Sequence, residues 1–186
     1  MGTCEDMTRA GRIDEKVASA LGFPKQEYVA VEIERRWLCK SVPRDRIRQT
    51  EEITDLYVEG TRLRLREARV SGGGAPMLRL SRKADIDAYT RLISSIYLSE
   101  EEFGLLARVL PGVRIKKLRH RLQSAPGAEL LVDEFQGSLA GLVLAEAAFE
   151  TADLMAAFAA PDFVLREVTT DAGYTGGHLA GFGIPA

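Results

Sequence analysis

Charged side chains recur at every second position in stretch after stretch of this chain. In "VAVEIERRWL", residues 29–38, Glu32, Glu34 and Arg36 fall two apart. In an extended strand such residues share one face, so Val29, Val31 and Ile33 share the other. Arg62, Arg64 and Arg66 alternate with Leu63 and Leu65. Arg79, Ser81 and Lys83 alternate with Leu78 and Leu80, and Lys117, Arg119 and Arg121 share one side of a further strand. A solvated sheet face accounts for any one of these strands. It does not account for Glu146, set among Leu142, Val143, Leu144, Ala147 and Ala148, or for Asp133 in "LLVDEF". A carboxylate in an apolar strand needs a partner or a metal.

The remaining patterns fix the element order. Strands are predicted over 29–39, over "IRQTEEITDLYVEG" and "TRLRLREARV" meeting at Gly60, over 77–85 and 88–98, and over "VRIKKLRHRLQSA", "AELLVDEFQGS" and "GLVLAEAAFE". "SVPRDR" (41–46) reads as a turn or short helix. "SGGGAP" (71–76) and Pro126-Gly127 read as turns. Ser99 with Glu102 makes a capping box ahead of Phe103, Leu106 and Leu110, which predicts a helix over 99–110 ended by Pro111-Gly112. A second helix is predicted over 151–161, and the tail after 166 mixes a short strand with a turn or helical piece. Residues 1–28 read as an N-terminal extension, with a short helix or without order, and 29–186 as one domain. No long crossover helices separate consecutive strands, so the sheet is expected to be largely antiparallel.

Composition narrows the function. A net charge of −2 argues against nucleic-acid binding by bulk charge. No apolar run reaches the roughly 18 residues of a membrane span, and residues 1–16 contain no signal-peptide core. Cys4 and Cys39 make neither a disulfide framework nor a CxxC pair, and Cys39 reads as a small buried side chain. The expectation is a cytoplasmic, reduced protein with no membrane and no nucleic-acid partner.

Closing the sheet makes the alternating charges converge. The interior is then polar and the apolar outer faces pack under helices, an arrangement a closed antiparallel barrel permits. Bases gathered this way repel by roughly 4 kcal/mol per pair about 4 Å apart at an effective dielectric near 20. A polyphosphate relieves that cost, and arginine matches phosphate with its bidentate fork. Glu32 and Glu34 suit such a ligand only with a hard divalent cation between them.

These residues resemble a known family. "EIERR" is similar to the ExExK signature of the CYTH domain, the triphosphate tunnel metalloenzymes. "RLRLR", "LSRK", "KKLR", "LVDEFQG", "LVLAE" and "REVTTDAGYTGGHLA" follow in the family's order, over residues 29–181. The resemblance implies an α+β fold: an eight-stranded antiparallel closed tunnel with peripheral helices, binding a small-molecule triphosphate with Mg²⁺ or Mn²⁺. It implies Glu32, Glu34 and Glu146 as metal ligands, and Arg62, Arg64, Lys83, Arg119 and, more weakly, Lys117 as triphosphate-binding groups. Arg36 stands where the family has a lysine associated with phosphate contact and water activation. Many family members pair as homodimers.

Three departures bear on activity. Arg36 keeps the charge but cannot act as a base. Ser94 and Ser95 lie where the family often carries Glu-x-Glu on its fifth strand, and Ala148 replaces a second glutamate beyond Glu146. Arg66 and Arg121 are the bases expected to face solvent. Glu167 and Asp171 stay outside the ligand set, as tunnel-mouth or turn residues, and Tyr174 is expected to pack or act as a lid. His120 and His178 lack metal spacing, and "SGGGAP" lacks the ending of a phosphate loop. The expected activity is metal-dependent hydrolysis of inorganic triphosphate or a small organic triphosphate. The alternatives are a class IV-type adenylate cyclase and a polyphosphate- or nucleotide-binding module without catalysis.

Overall fold

A computed structural model describes residues 13–123 and 128–185. The Pro126-Gly127 turn, Cys4 and the first twelve residues lie outside the described residues. Among the described residues, nine strands follow in chain order: β1 (Ala30–Cys39), β2 (Ile47–Val58), β3 (Leu63–Val70), β4 (Met77–Asp85), β5 (Thr90–Tyr97), β6 (Gly112–Leu122), β7 (Ala128–Phe135), β8 (Val143–Phe149) and β9 (Val164–Glu167). Four α-helices accompany them among the described residues: α1 (Glu15–Ala20), α2 (Glu100–Val109), α3 (Ala152–Ala157) and α4 (Gly176–Phe182).

The strand order is β5-β4-β3-β2-β6-β7-β8-β1, and β1 returns to β5, which closes eight antiparallel strands into a barrel. Strand β1 makes the closure by dividing one edge. Its first half, Ala30–Ile33, pairs with β5, its second half, Trp37–Cys39, pairs with β9, and its other edge lies along β8. The helix predicted at 99–110 is α2, with the Ser99–Glu102 capping box formed in both directions. Helix α3 is shorter than its apolar run, because the chain turns extended at Phe158 ahead of Pro161.

The apolar core lies outside the barrel wall. Trp37, Val132, Ala145, Ala147 and Phe149 form one buried cluster, covered by Met155 and by Phe158, whose ring meets Phe149 edge-on at 5.1 Å. Cys39 belongs to this cluster, and burial pushes its thiol up to about 11. Helix α1 brings Ala18 and the following Phe23 onto Val31, Ala84 and Leu92. Full burial of each large apolar side chain stabilises by about 1.5–3 kcal/mol. The outer shell can therefore hold the barrel while its interior stays charged.

A third cluster shuts one end of the barrel. Tyr174 and Leu179 pack against the inward-facing Ile115, Phe135 and Leu144. Tyr174 is thus the packing residue expected from its sequence. Gly176 opens α4 directly against the Tyr57 hydroxyl, and a Cβ there would overlap that oxygen, so only glycine permits the approach.

Candidate functional site: a charged tunnel with two unlike walls

A cavity of about 710 Å³ occupies the barrel, lined by the inward faces of its strands and by the segment from Tyr174 to Gly181. The alternation read in β1 is the alternation of this wall. Glu32, Glu34 and Arg36 all face the cavity and are 5%, 9% and 4% exposed. The cross-strand register sets Arg36 beside Glu146 of β8 and Glu32 beside Arg91 of β5.

Along β1, β8, β7 and β6 the charges form one continuous chain. The Arg36 guanidinium donates to Glu34 at 2.6 Å and to Glu146 at 2.9 Å. Arg119 donates to the other Glu146 oxygen at 2.9 Å and holds both oxygens of Asp133, at 2.7 and 2.6 Å. Lys117 closes the run on Asp133 at 2.6 Å. Burial alone would raise the Glu146 pKa. Arg36, Arg119 and Lys117 outweigh burial and hold this carboxyl well below the usual range. The same pairing overcomes the burial of Arg36 and raises its pKa above the ordinary arginine value.

Along β3, β4 and β5 the pairing is incomplete. Lys83 donates to Glu32 at 2.7 Å, Arg91 lies 3.1 Å from Glu34, and Arg66 grips Asp55 with two bonds of 2.6 and 2.7 Å. Burial draws the Lys83 pKa down to about 8, with Arg64 and Arg91 adding to the effect and Glu32 opposing it. The Nε–H groups of Arg64, Arg79 and Arg91 are buried and have no hydrogen-bond acceptor, although Arg64 Nε lies 3.5 Å from Asp55 and Arg91 Nε 3.2 Å from Asp85. The Oε1 atom of Glu32 is buried and has no donor. Each unmet polar group of this kind costs about 1–3 kcal/mol. An anion with several oxygens could accept from these three donors, and a cation beside Glu32 could use its free oxygen.

Arg79 is the extreme case. It stands directly opposite Arg66 across the β3–β4 pair, where like charges destabilise. Among the described residues, no carboxylate lies within 4 Å of it. Burial, then Arg66, Arg64 and Arg119, draw it down to about 10, so it stays protonated at neutral pH.

The nine residues expected from the sequence line this one cavity, at different depths. Arg62 lies at its exposed edge, just ahead of β3, while Lys117 is buried. Arg66 corrects an expectation. It is 3% exposed rather than solvent-facing, because Asp55 waits on the neighbouring strand to pair with it. Arg121 is half-buried and ion-paired with Glu129. On β5 the register puts Ser95 opposite the inward Ser81, with Ser94 opposite the outward Arg82. The inward β5 positions are therefore Arg91, Ile93, Ser95 and Tyr97. Glu167 pairs with Arg35 on the outer surface, and Asp171 caps the turn at Gly173.

Glu32 and Glu34 fit a hard divalent cation best: they share one face of β1, and Glu32 keeps an unused oxygen. Glu146 lies in the same cavity with both oxygens engaged by guanidinium groups. Among the described residues, no three Asp, Glu, His or Cys side chains gather on one point. A metal here would take further oxygens from its ligand. Also among the described residues, no helix is long and apolar enough to cross a membrane.

Fold and lining define the class: a closed antiparallel barrel with a charged, buried interior cavity. No family model and no curated protein matches the sequence. Solved structures do. The crystal structure of the inorganic triphosphatase NE1496 is 25% identical, with a TM-score of 0.54, covering 80% of this chain and 93% of that one. A second structure, of the hypothetical protein NE1496, is also 25% identical, with a TM-score of 0.55, covering 83% of this chain and 99% of that one. The PH1819 protein from Pyrococcus horikoshii OT3, 20% identical with a TM-score of 0.52 over 67% of this chain and 82% of that one, shares the fold. The fold these structures share agrees with the resemblance of the sequence to the CYTH, or triphosphate tunnel, superfamily.

Proposed function

We propose that this protein is a divalent-metal-dependent triphosphatase that removes the terminal phosphate of inorganic triphosphate or of a small organic triphosphate. One observation carries the reading: three buried guanidinium donors and one buried carboxylate oxygen, all unmet, open onto a single cavity. A metal-bound triphosphate supplies both missing partners at once. The similarity to an inorganic triphosphatase supports the reading.

Glu32 and Glu34 would hold Mg²⁺ or Mn²⁺, with Glu146 as the third carboxylate of the set. When bound, the ion supplies charge neutralisation and a coordinated water of lowered pKa. The protein's own side chains position and stabilise. Arg62, Arg64, Arg91, Lys83 and Arg119, with Lys117 behind Asp133, neutralise phosphate oxygens and the charge of the transferred phosphoryl group. Arg36 is permanently protonated, so it takes no proton from water. It fixes Glu34 and Glu146 relative to one another, and its backbone N–H is tied to Thr169 at 2.9 Å.

The test is phosphate release from inorganic triphosphate, ATP and thiamine triphosphate, each with Mg²⁺, Mn²⁺ or EDTA. The expected result is release that requires metal and is fastest for one of the three. A second reading, binding without turnover, draws on Glu146 locked between two guanidinium groups and on the uncharged Ile93, Ser95 and Ala148. Absence of release in protein thermally stabilised by the same anions would favour it. Cyclic AMP and pyrophosphate from ATP would instead establish a cyclase.

A further inference from the structure

We propose that the open edge of β5 beyond Ile93, with the groove beside it, docks an extended peptide segment that carries an acidic residue among apolar ones. The site lies outside the tunnel, and the inference does not rest on the triphosphate reading. It starts from a mismatch of lengths. Strand β5 pairs with β4 from Arg91 to Tyr97, but β1 pairs with β5 only from Ala30 to Ile33, and that ladder stops at Ile93. Continuing its register would set Tyr28 against Ser95. Instead, Gln26–Tyr28 form a 3₁₀ turn, closed by the Val29 N–H donating to the Gln26 carbonyl at 3.1 Å. From Ser94 to Ile96, β5 is therefore a sheet edge with a strand on its β4 side alone.

Alternation fixes which backbone groups face outward. On the β1 side, Glu34 N–H donates to the Tyr89 carbonyl at 2.9 Å; on the β4 side, Leu98 N–H donates to the Leu78 carbonyl at 2.9 Å. Odd-numbered β5 residues thus turn their N–H and C=O toward β1, and those of Ser95, an exposed residue, face the place that β1 leaves. Such an edge is ready to pair with a further strand. A groove of about 420 Å³ lies beside it, between Ser94–Ile96 and the segment from Gly22 to Val29. On β4, Arg79 and Lys83 line the tunnel, whereas Leu80 and Arg82 line this groove. Phe23, Val29 and Leu80 make it apolar, and Tyr28 and Ile96 stand along it 70% and 57% exposed.

Charge selects the occupant. The groove lining includes Lys25 and Arg82 and no acid. Arg82 donates to the carbonyls of Leu21 at 2.9 Å and Gly22 at 3.3 Å, and its guanidinium lies 4.5 Å above the Phe23 ring. Gly22, at φ +83°, makes room for it: a Cβ there would come within 2.8 Å of the guanidinium. Among the described residues, no carboxylate lies within 4 Å of Arg82. A second copy of this chain would bring the same two cations to the contact, and like charges set against each other across an interface are costly. A segment bearing a carboxylate meets both. Its backbone pairs with Ser95, its apolar side chains meet Ile96 and Tyr28, and its acid meets Arg82 and Lys25.

The probe is the blocked, fluorescein-labelled peptide Thr-Val-Thr-Glu-Thr-Val, whose valines and glutamate share one face of a strand. Fluorescence anisotropy reads its binding to the intact protein. Wild type is expected to bind it about tenfold or more tighter than a version with lysine in place of glutamate. In antiparallel addition the threonine nitrogens face β5 and the glutamate nitrogen faces away, so N-methylation of the threonines should abolish binding and N-methylation of the glutamate should not. Ser95→Pro removes an edge donor without touching the β4 ladder and should weaken the acidic peptide by about tenfold, with melting curves confirming the fold. Arg82→Gln should remove most of the preference for glutamate over lysine. No binding of the acidic peptide up to about 1 mM, or undiminished binding of its threonine-methylated form, overturns strand addition. Equal affinity for the glutamate and lysine peptides overturns the acidic partner. A dimer in sedimentation that Ser95→Pro turns into monomer gives the edge to a second copy and overturns the proposal.

Discussion

The two walls of the tunnel use the same residue types to opposite effect. On the β1, β8, β7 and β6 side, Glu34, Arg36, Glu146, Arg119, Asp133 and Lys117 form an unbroken run of contacts at 2.6–2.9 Å. On the β3, β4 and β5 side, Arg64, Arg79 and Arg91 each keep a buried donor without an acceptor. Fully paired charges in a low-dielectric interior are rigid, and removing one partner is expensive because it strands the other. Partly paired charges are held at a cost until a ligand arrives. Under the proposed function the first wall preorganises the tunnel and the second would receive the anion, with Glu32 and Glu34 on the strand where the two walls meet.

Four perturbations separate the walls. The largest effect is expected on stability when the paired wall is broken. Asp133→Ala leaves Lys117 and Arg119 buried with a deficit of acid and should destabilise the fold by about 3–5 kcal/mol, read by urea denaturation. Loss of less than about 1 kcal/mol would show that the run is ornamental. Next, Glu34→Gln should lower metal-dependent turnover by about 10²–10³-fold while far-ultraviolet circular dichroism stays unchanged. Undiminished turnover would remove the β1 carboxylates from the mechanism.

On the receiving wall, Arg64→Gln should weaken tripolyphosphate by about 10–100-fold and leave the melting temperature unchanged or slightly higher, since it deletes a cation that lacks a full complement of acid. A drop in stability like that of Asp133→Ala would erase the distinction. The smallest effect concerns acid. Burial works against the Asp55 charge, but Arg66 and Arg64 hold its folded-state pKa far below the ordinary value of 3.8. A carboxyl depressed by folding stabilises fully above its unfolded pKa, and that contribution fades as pH falls from about 4 toward the folded value. Wild type should therefore lose stability below about pH 4 more steeply than Asp55→Asn, and parallel curves for the two would contradict the pairing.

Much of this was legible in the sequence because a strand has period two. Glu32, Glu34 and Arg36 had to share a face, and Glu146, set in an apolar strand, had to find a partner. Periodicity could not say how deep a face lies. Sequence alone leaves Arg66 facing solvent, because its partner, Asp55 in "ITDLYV", lies on a different strand and only the register unites them. Register also decided between Ser94 and Ser95, since a shift of one residue exchanges the two faces. Arg91 carries little local signal, because its inward companions Ile93 and Ser95 are uncharged. Closure of the barrel end by the tail depends on Gly176 meeting Tyr57, a contact between residues over a hundred positions apart that no local pattern encodes.

The most direct test of the division between walls is a single calorimetric comparison. Mg²⁺-tripolyphosphate is titrated into wild type and into the Arg64→Gln/Arg91→Gln double variant, both shown to melt at similar temperatures. The account predicts binding in wild type and a loss of at least about a hundredfold in the double variant. Equal affinity in the two proteins would mean that the unmet donors are not the anion site, and the proposed function would lose the observation on which it rests.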